Sequence, residues 1–113
     1  KGFSDEQENE LREICKYVIE MYEKFIDMMN RHDYSSFDTL LNYRENILEQ
    51  CAKLTKKQIK RVKANESGTR SSILFLNILN ETKTIVLQSI NLMKSQKNMI
   101  LSSKKTANAL QKV

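Results

Sequence analysis

The residues that could support catalysis are few and scattered along the chain. His32 is the only histidine, and it lies in the polar segment Arg31-His32-Asp33-Tyr34. No serine or cysteine constellation near it supplies a nucleophile to activate, so a solvent-exposed turn histidine is the better interpretation. The sequence therefore predicts that the chain is not an enzyme, and it predicts neither a catalytic residue nor a cofactor.

Carboxylates recur at helical spacing near the start of the chain. Paired acids on facing helices can hold a di-metal centre, usually together with histidines at fixed offsets, and those histidines are absent here. We therefore interpret the acids as a solvated face or as partners of lysines, and we predict no metal site. The two sets are Glu6, Glu10 and Glu13, followed by Glu20, Glu23 and Asp27.

Two cysteines, Cys15 and Cys51, fall in apolar series with helical spacing. A single pair without a motif is neither a disulfide framework nor a metal site. We therefore expect two buried, reduced thiols, which agrees with a reducing compartment.

Charge is divided unevenly between the two halves of the chain. Residues 1–50 carry twelve acidic and six basic side chains, whereas residues 51–113 carry two acidic and thirteen basic ones. No aromatic side chain is interleaved with the basic cluster, so we do not expect nucleic acid as a partner, and a position near anionic lipid explains the cluster equally well. This candidate basic surface consists of Lys53, Lys56, Lys57, Lys60, Arg61 and Lys63.

Helix-compatible residues dominate a chain that has no proline and two glycines, which predicts an all-α fold. Apolar periodicity places helices at about residues 5–31, 36–65 and 69–101 or longer. Ser35 is expected to begin the second helix with a capping box, and Gly68 is expected to adopt the left-handed conformation beyond its end. Short connections predict an elongated, antiparallel up-down-up bundle of three helices.

The 113 residues are predicted to form a single domain. Residues 102–113 are polar and weakly periodic, so we expect them to fray or to depend on a partner. No window approaches the roughly 20 apolar residues of a spanning helix, which predicts a soluble domain.

The third predicted helix carries an apolar stripe that polar residues interrupt once. Such an interruption is unfavourable in a buried stripe unless the polar groups find partners, and Lys83 is expected to pair with Glu20 or Glu23. Alternatively, the interruption is the exposed side of a partly buried helix. This polar notch consists of Asn80, Glu81, Lys83 and Thr84.

The run Ile73-Leu-Phe-Leu76 is apolar on more than one helical face. It predicts a patch at Phe75 and Leu76 that a second copy or a mate domain would cover. A homodimer is one of the partners expected on this basis.

Several segments carry a resemblance to a known family. They are Asp33-Tyr-Ser-Ser-Phe-Asp38, the apolar steps from Leu41 to Ile59, and Ser89-Ile-Asn-Leu-Met93. Together they resemble the PhoU domain. The stretch from Val62-Lys-Ala-Asn-Glu-Ser-Gly-Thr-Arg70 to Leu79-Asn-Glu-Thr-Lys-Thr84 is similar to the cytoplasmic, C-terminal PhoU-like part of bacterial sodium/phosphate cotransporters.

In this register, the family's metal-binding acids fall on Lys83 and Leu87, neither of which can ligate a hard cation. The resemblance therefore implies that the metal cluster has been lost and that the polar notch is a disused ion site. It also implies a regulatory domain of a sodium-dependent phosphate transporter on the cytoplasmic side of the inner membrane. Its partner would be the membrane transport portion of the same, longer protein. The alternative is a self-associating helical scaffold or adaptor unrelated to transport.

Overall fold

The computed structural model describes residues 2–111, which form three α-helices and, within that range, no strand. The helices are α1 (Asp5–Arg31), α2 (Asp38–Lys63) and α3 (Thr69–Gln111). The prediction of an all-α, elongated three-helix bundle is confirmed, with principal extents of 71 × 20 × 18 Å.

Contacts between the helices define their directions. The Nε2 atom of Gln7, near the start of α1, donates to Oε1 of Gln58, near the end of α2, at 2.9 Å. At the opposite end of α1, Phe25 packs edge-on against Phe37, which precedes α2. Gln58 in turn donates to Ser72, in the first turn of α3, at 2.9 Å. Consecutive helices therefore run antiparallel, and α1 and α3 are parallel.

The ends of α1 are well capped. The Ser4 hydroxyl accepts from the backbone N–H of Gln7, and the Gln7 side chain accepts from the backbone N–H of Ser4, which forms a capping box. His32 ends the helix in the left-handed conformation with φ of 54°. It is exposed, as predicted for a turn histidine.

The predicted signals at the ends of α2 are wrong. Phe37 is the residue at the N-cap and makes no capping hydrogen bond. Ser35 instead donates its backbone N–H to Oδ1 of Asp33 at 3.0 Å. Residues 33–35 therefore form a local turn before the helix begins. Beyond the other end, Asn65 adopts the left-handed conformation with φ of 57°, and Gly68 does not.

Packing confirms one predicted thiol and corrects the other. Cys51 is fully buried in the core, whereas Cys15 is exposed, and both are free thiols. The prediction for Cys15 is wrong because the buried stripe of α1 passes through Ile14, Met21 and Phe25 and leaves Cys15 on its flank.

The third helix is much longer than its neighbours. It has 43 residues, against 27 in α1 and 26 in α2, so it extends roughly 20 Å or more beyond them at 1.5 Å per residue. All residues of 98–111, here called the overhang, are exposed. Residues 102–111 are helical and exposed, so the dependence of this segment on a partner stays a prediction, and residues 112–113 lie outside the described range.

The three helices are too polar to cross a bilayer: within residues 2–111, none of them has an apolar stretch long enough for a membrane span.

Candidate functional site

The candidate basic surface is divided by the fold into residues that face α1 and residues that face solvent. Arg61 bonds Glu6, and its Nη2 lies 2.6 Å from Oε2 of Glu10. Lys57 places Nζ 2.8 Å from the same Glu10 oxygen, and Lys53 pairs with Glu49 on its own helix at 3.4 Å. The remaining members are exposed, and they are Lys56, Lys60 and Lys63.

A buried polar network lies beneath these ion pairs. The side-chain amide of Gln58, which has no exposed surface, accepts from Gln7 at 2.9 Å and from Nη1 of Arg61 at 2.8 Å. Its Nε2 donates to Ser67 at 3.0 Å and to Ser72 at 2.9 Å. The network joins all three helices at one end of the bundle, and its main chemical effect is to satisfy buried polar groups.

The four charged residues that pair at this end of the bundle stabilise one another. We call them the end cluster, and they are Glu6, Glu10, Lys57 and Arg61. Hydrogen bonds from Arg61 and then from Lys57 hold the pKa of Glu6 below its usual value. The hydrogen bond with Glu10 raises the pKa of Lys57. Burial disfavours the charged form of Arg61, but its bonds with Glu10 and Glu6 outweigh burial and raise its pKa. Lys57 and Arg61 are therefore engaged within the molecule.

Acid is expected to weaken this end of the bundle through Glu6. Because its folded-state pKa lies below the ordinary 4.5, its stabilising contribution is present at neutral pH and is lost as the pH falls through the folded-state value. We expect a Glu6→Gln variant to melt at a lower temperature than the parent at pH 7. Measured by circular dichroism, the difference should shrink as the pH is lowered below 4.5, and a difference that stays constant over the whole acid range in which the protein is folded would contradict this assignment.

The polar notch is mostly a solvent-facing surface. Asn80, Glu81 and Thr84 are exposed, and Lys83 alone among the four is half-buried. The residue that interrupts the buried stripe beside Lys83 is Thr82, whose hydroxyl donates to the Ile78 carbonyl at 2.8 Å. For three of the four positions, the interpretation as the exposed side of a helix therefore fits better than a buried gap.

The predicted pairing of Lys83 with an acid of α1 is not formed. Among residues 2–111, no ion pair involves Lys83, and the Glu20 carboxylate accepts instead from the Tyr43 hydroxyl at 3.1 Å. Lys83 lies near Cys51 of α2: burial raises the pKa of that thiol, and the Lys83 charge opposes the increase. The reason for the error is that Lys83 is placed on the α2 side of α3.

Replacing Lys83 with leucine is expected to raise the free energy of unfolding by about 1 kcal/mol, because an ammonium group at the edge of the core gives way to apolar contacts. Urea denaturation followed by circular dichroism would measure the change. The matched control, Lys60→Leu on the exposed side of α2, should stay within about 0.5 kcal/mol of the parent. A destabilised Lys83→Leu protein would show that the ammonium has a stabilising partner.

Lys83 and Leu87 are the two positions that the sequence resemblance matched to metal-binding acids. Lys83 is half-buried and Leu87 is 43% exposed. Residues 2–111 contain no group of three or more histidine, cysteine, aspartate or glutamate side chains placed to hold a metal ion. The interpretation of the notch as a disused ion site stays a prediction.

The prediction of an exposed partner patch is wrong for Phe75. Phe75 has no exposed surface, because Phe3 packs edge-on against it at a centroid distance of 5.8 Å and the Arg61 guanidinium covers its ring. Leu76 is half-buried. The exposed residues of this run are Ile73 and Leu74.

Sequence reasoning missed a larger apolar surface between α1 and α3. Helix α2 packs along both neighbours, whereas α1 and α3 approach each other sparsely, with Tyr22 and Ser89 joined by their hydroxyls. Ile19 is 58% exposed and Leu92 is 63% exposed. We call this surface the open face, and it comprises Leu11, Cys15, Ile19 and Ile26 of α1 with Ile78, Ile85 and Leu92 of α3.

The open face includes a groove on its α1 side. The groove has a volume of about 540 Å³ and is lined by Leu11, Arg12, Cys15, Lys16, Ile19, Glu20 and Glu23. Its floor is apolar and its rim is charged, which is the usual composition of a protein contact surface. The sequence signal for it was available in the repeat of Ile78, Ile85 and Leu92 at intervals of seven.

Comparisons with protein-family models, curated proteins and solved structures give no match to this chain.

Proposed function

We propose that this chain is a regulatory or interaction domain that acts through protein contacts and carries out no catalysis of its own. The observation that carries the proposal is the open face, where large aliphatic side chains of two helices remain about half exposed. Contiguous apolar surface of this kind on a folded domain is typical of a partner site.

The polar groups of the molecule support the same proposal. Arg61, Lys57 and Gln58 are the most elaborately bonded polar side chains, and their partners are other residues of this chain. Their arrangement fixes the relative positions of the helices and leaves the open face as the surface available for a partner.

A narrower form of the proposal concerns phosphate transport. The resemblance of residues 62–84 to the PhoU-like part of sodium/phosphate cotransporters suggests that the domain controls sodium-dependent phosphate uptake. It would then lie on the cytoplasmic side of the inner membrane and contact the membrane transport portion of the same protein. Support for this form comes from the sequence resemblance alone.

A binding experiment tests both the proposed role in phosphate transport and the assignment of the open face as the contact surface. The domain is added to the detergent-solubilised membrane portion of its transporter, and association at micromolar concentration is expected. Ile26→Glu/Ile85→Glu places two charges on the open face, at residues 51% and 49% exposed, and should abolish binding. Ile73→Glu, 55% exposed outside the open face, is the control and should bind normally.

The two outcomes that contradict the proposal are distinct. Absence of binding by the parent domain would contradict the transport form. Equal binding by the parent and the Ile26→Glu/Ile85→Glu variant would contradict the assignment of the open face as the contact surface.

The second candidate is a self-associating scaffold or adaptor with no link to transport. The long overhang favours it, because an exposed helix that projects from a bundle can engage another molecule. The acidic first half and basic second half of the chain would favour pairing between copies.

A further inference from the structure

We propose that the open face is covered by a second copy of this chain, with the overhang of each copy lying antiparallel along the open face of the other. This inference rests on the proposed function, because it names the occupant of the same surface.

The apolar strip of α3 continues from the bundle onto the overhang. Ile78, Ile85, Leu92 and Met99 recur at intervals of seven residues, and the last three are 49%, 63% and 69% exposed. A seven-residue apolar repeat is the period at which two helices pack along a common seam. Leu92 and Met99 lie on either side of the point where the overhang begins, so the seam joins the two surfaces.

The overhang lacks the contacts that normally stabilise a helix. Its residues are all exposed, with Leu110 at 71%, and a helix of this length is marginal in water without packing. It cannot fold back onto the open face of its own molecule, because it is the straight continuation of α3. A second copy supplies the open face that the overhang requires, and it receives the same contact in return, as two-fold symmetry demands.

The distribution of charge along the chain also favours an antiparallel pair of copies. From Lys94 to Gln111, α3 carries four lysines and no acid, and the lysines are Lys94, Lys97, Lys104 and Lys105. The rim of the groove carries Glu20 and Glu23 together with Arg12 and Lys16, and α1 as a whole has eight acidic and four basic side chains. An antiparallel second copy lays the basic overhang along the acidic α1, whereas a parallel copy would leave the overhang projecting into solvent.

The register of the two copies follows from the exposed residues at the junction between the bundle and the overhang. Two-fold symmetry with Leu92 opposite Met99 of the second copy buries the strongly exposed side chains nearest the bundle's end, which are 63% and 69% exposed. Phe3 beside Phe75 and Tyr22 beside Ser89 fix how α1 lies along α3. Leu110 lies three heptads after Ser89 on the flank of α3 that faces α1, so the same register places Leu110 of one copy close to Cys15 of the other.

Sedimentation equilibrium of the chain tests the association. A dimer is expected at about 100 µM, and Leu92→Glu/Met99→Glu should raise the dissociation constant by about tenfold or more. The control is Leu87→Glu, which is 43% exposed on the opposite edge of α3 and should leave the dimer unchanged. Circular dichroism of each variant confirms that the helices are intact, as expected for substitutions at exposed positions.

Cross-linking tests the register. In Leu110→Cys, oxidation should link position 110 of one copy to Cys15 of the other, and adding Cys15→Ser should prevent the link. Within one chain the two positions are roughly 40 Å apart at 1.5 Å per residue, so an intramolecular bond is excluded. Cys51 is buried and does not compete.

Several results would overturn the proposal. They are a monomer at the highest concentration, a dimer that tolerates Leu92→Glu/Met99→Glu, or a dimer without the cross-link at position 110. A monomer that still binds the membrane transport portion through Ile26 and Ile85 would overturn the dimer and leave the proposed function standing. A chain that forms the cross-linked dimer but does not bind the membrane portion when diluted to the monomer would contradict the transport form and leave the dimer standing.

Discussion

Phe75→Ala is expected to lower the free energy of unfolding by about 3–5 kcal/mol, the range for removing a large aromatic ring from a packed core. Phe75 has no exposed surface, and its ring contacts Phe3 from the segment before α1 and Arg61 from α2. The substitution therefore leaves a cavity at the point where all three helices meet.

Leu74→Ala is the matched control for this experiment. Leu74 is the preceding residue of α3 and is 53% exposed, so its truncation should change stability by no more than about 1 kcal/mol. Guanidinium denaturation of both variants gives the comparison. A loss below about 1 kcal/mol for Phe75→Ala would contradict the placement of this ring in the core.

Arg61→Met is expected to lower the free energy of unfolding by about 2–3 kcal/mol. Breaking a buried ion pair by removing one partner usually costs about 3–5 kcal/mol, and the side chains of Arg61 and Glu10 are 11% and 12% exposed. The expected value is smaller because Lys57 still bonds Glu10. Methionine keeps the length of the stem, so the loss reports on the guanidinium group and its bond to Gln58.

Two further variants separate the loss of the Arg61 ion pair from the loss of any surface charge. Lys60→Met removes an exposed cation from the adjacent position and should have an effect below about 0.5 kcal/mol. Arg61→Met/Glu10→Gln should lose less stability than the sum of the two single substitutions, because both remove the same ion pair. Equal stabilities of Arg61→Met and Lys60→Met would contradict the role of the end cluster.

The architecture was predictable because it depends on local signals. The absence of proline and the apolar periodicity place three helices, and Asp5–Arg31 agrees with the predicted range at both ends. The errors at Ser35 and Gly68 arose where two local signals competed. Asp33 accepts the Ser35 backbone N–H in a turn ahead of the helix that Ser35 was expected to cap, and Asn65 adopts the left-handed conformation before Gly68 is reached.

The surfaces were less predictable because periodicity alone does not say which neighbour covers which side of a stripe. Cys15 and Phe75 both belong to apolar series, but α3 leaves Cys15 exposed, and Phe3 and Arg61 cover Phe75. Pairing of Arg61 with Glu10 joins residues 51 positions apart. Sequence predicted that acids of α1 pair with lysines in general terms, and the tertiary structure selects the partners.

The polar notch illustrates the same dependence on neighbours. Sequence placed Lys83 at an interruption of a buried stripe and expected an acid of α1 as its partner. In the fold Lys83 lies on the α2 side, near Cys51. The side of a helix that meets each neighbour is set by the packing of the whole bundle.

The alkylation rate of Cys15 is the most direct test of the claim that this chain acts through its open face. Cys15 is an exposed native thiol on that face, and Cys51 is the buried internal reference. In dilute monomer, iodoacetamide should modify Cys15 readily and leave Cys51 unmodified. Assembly with the second copy or with the membrane portion should slow the Cys15 reaction several-fold. An unchanged rate in the assembled protein would contradict the account.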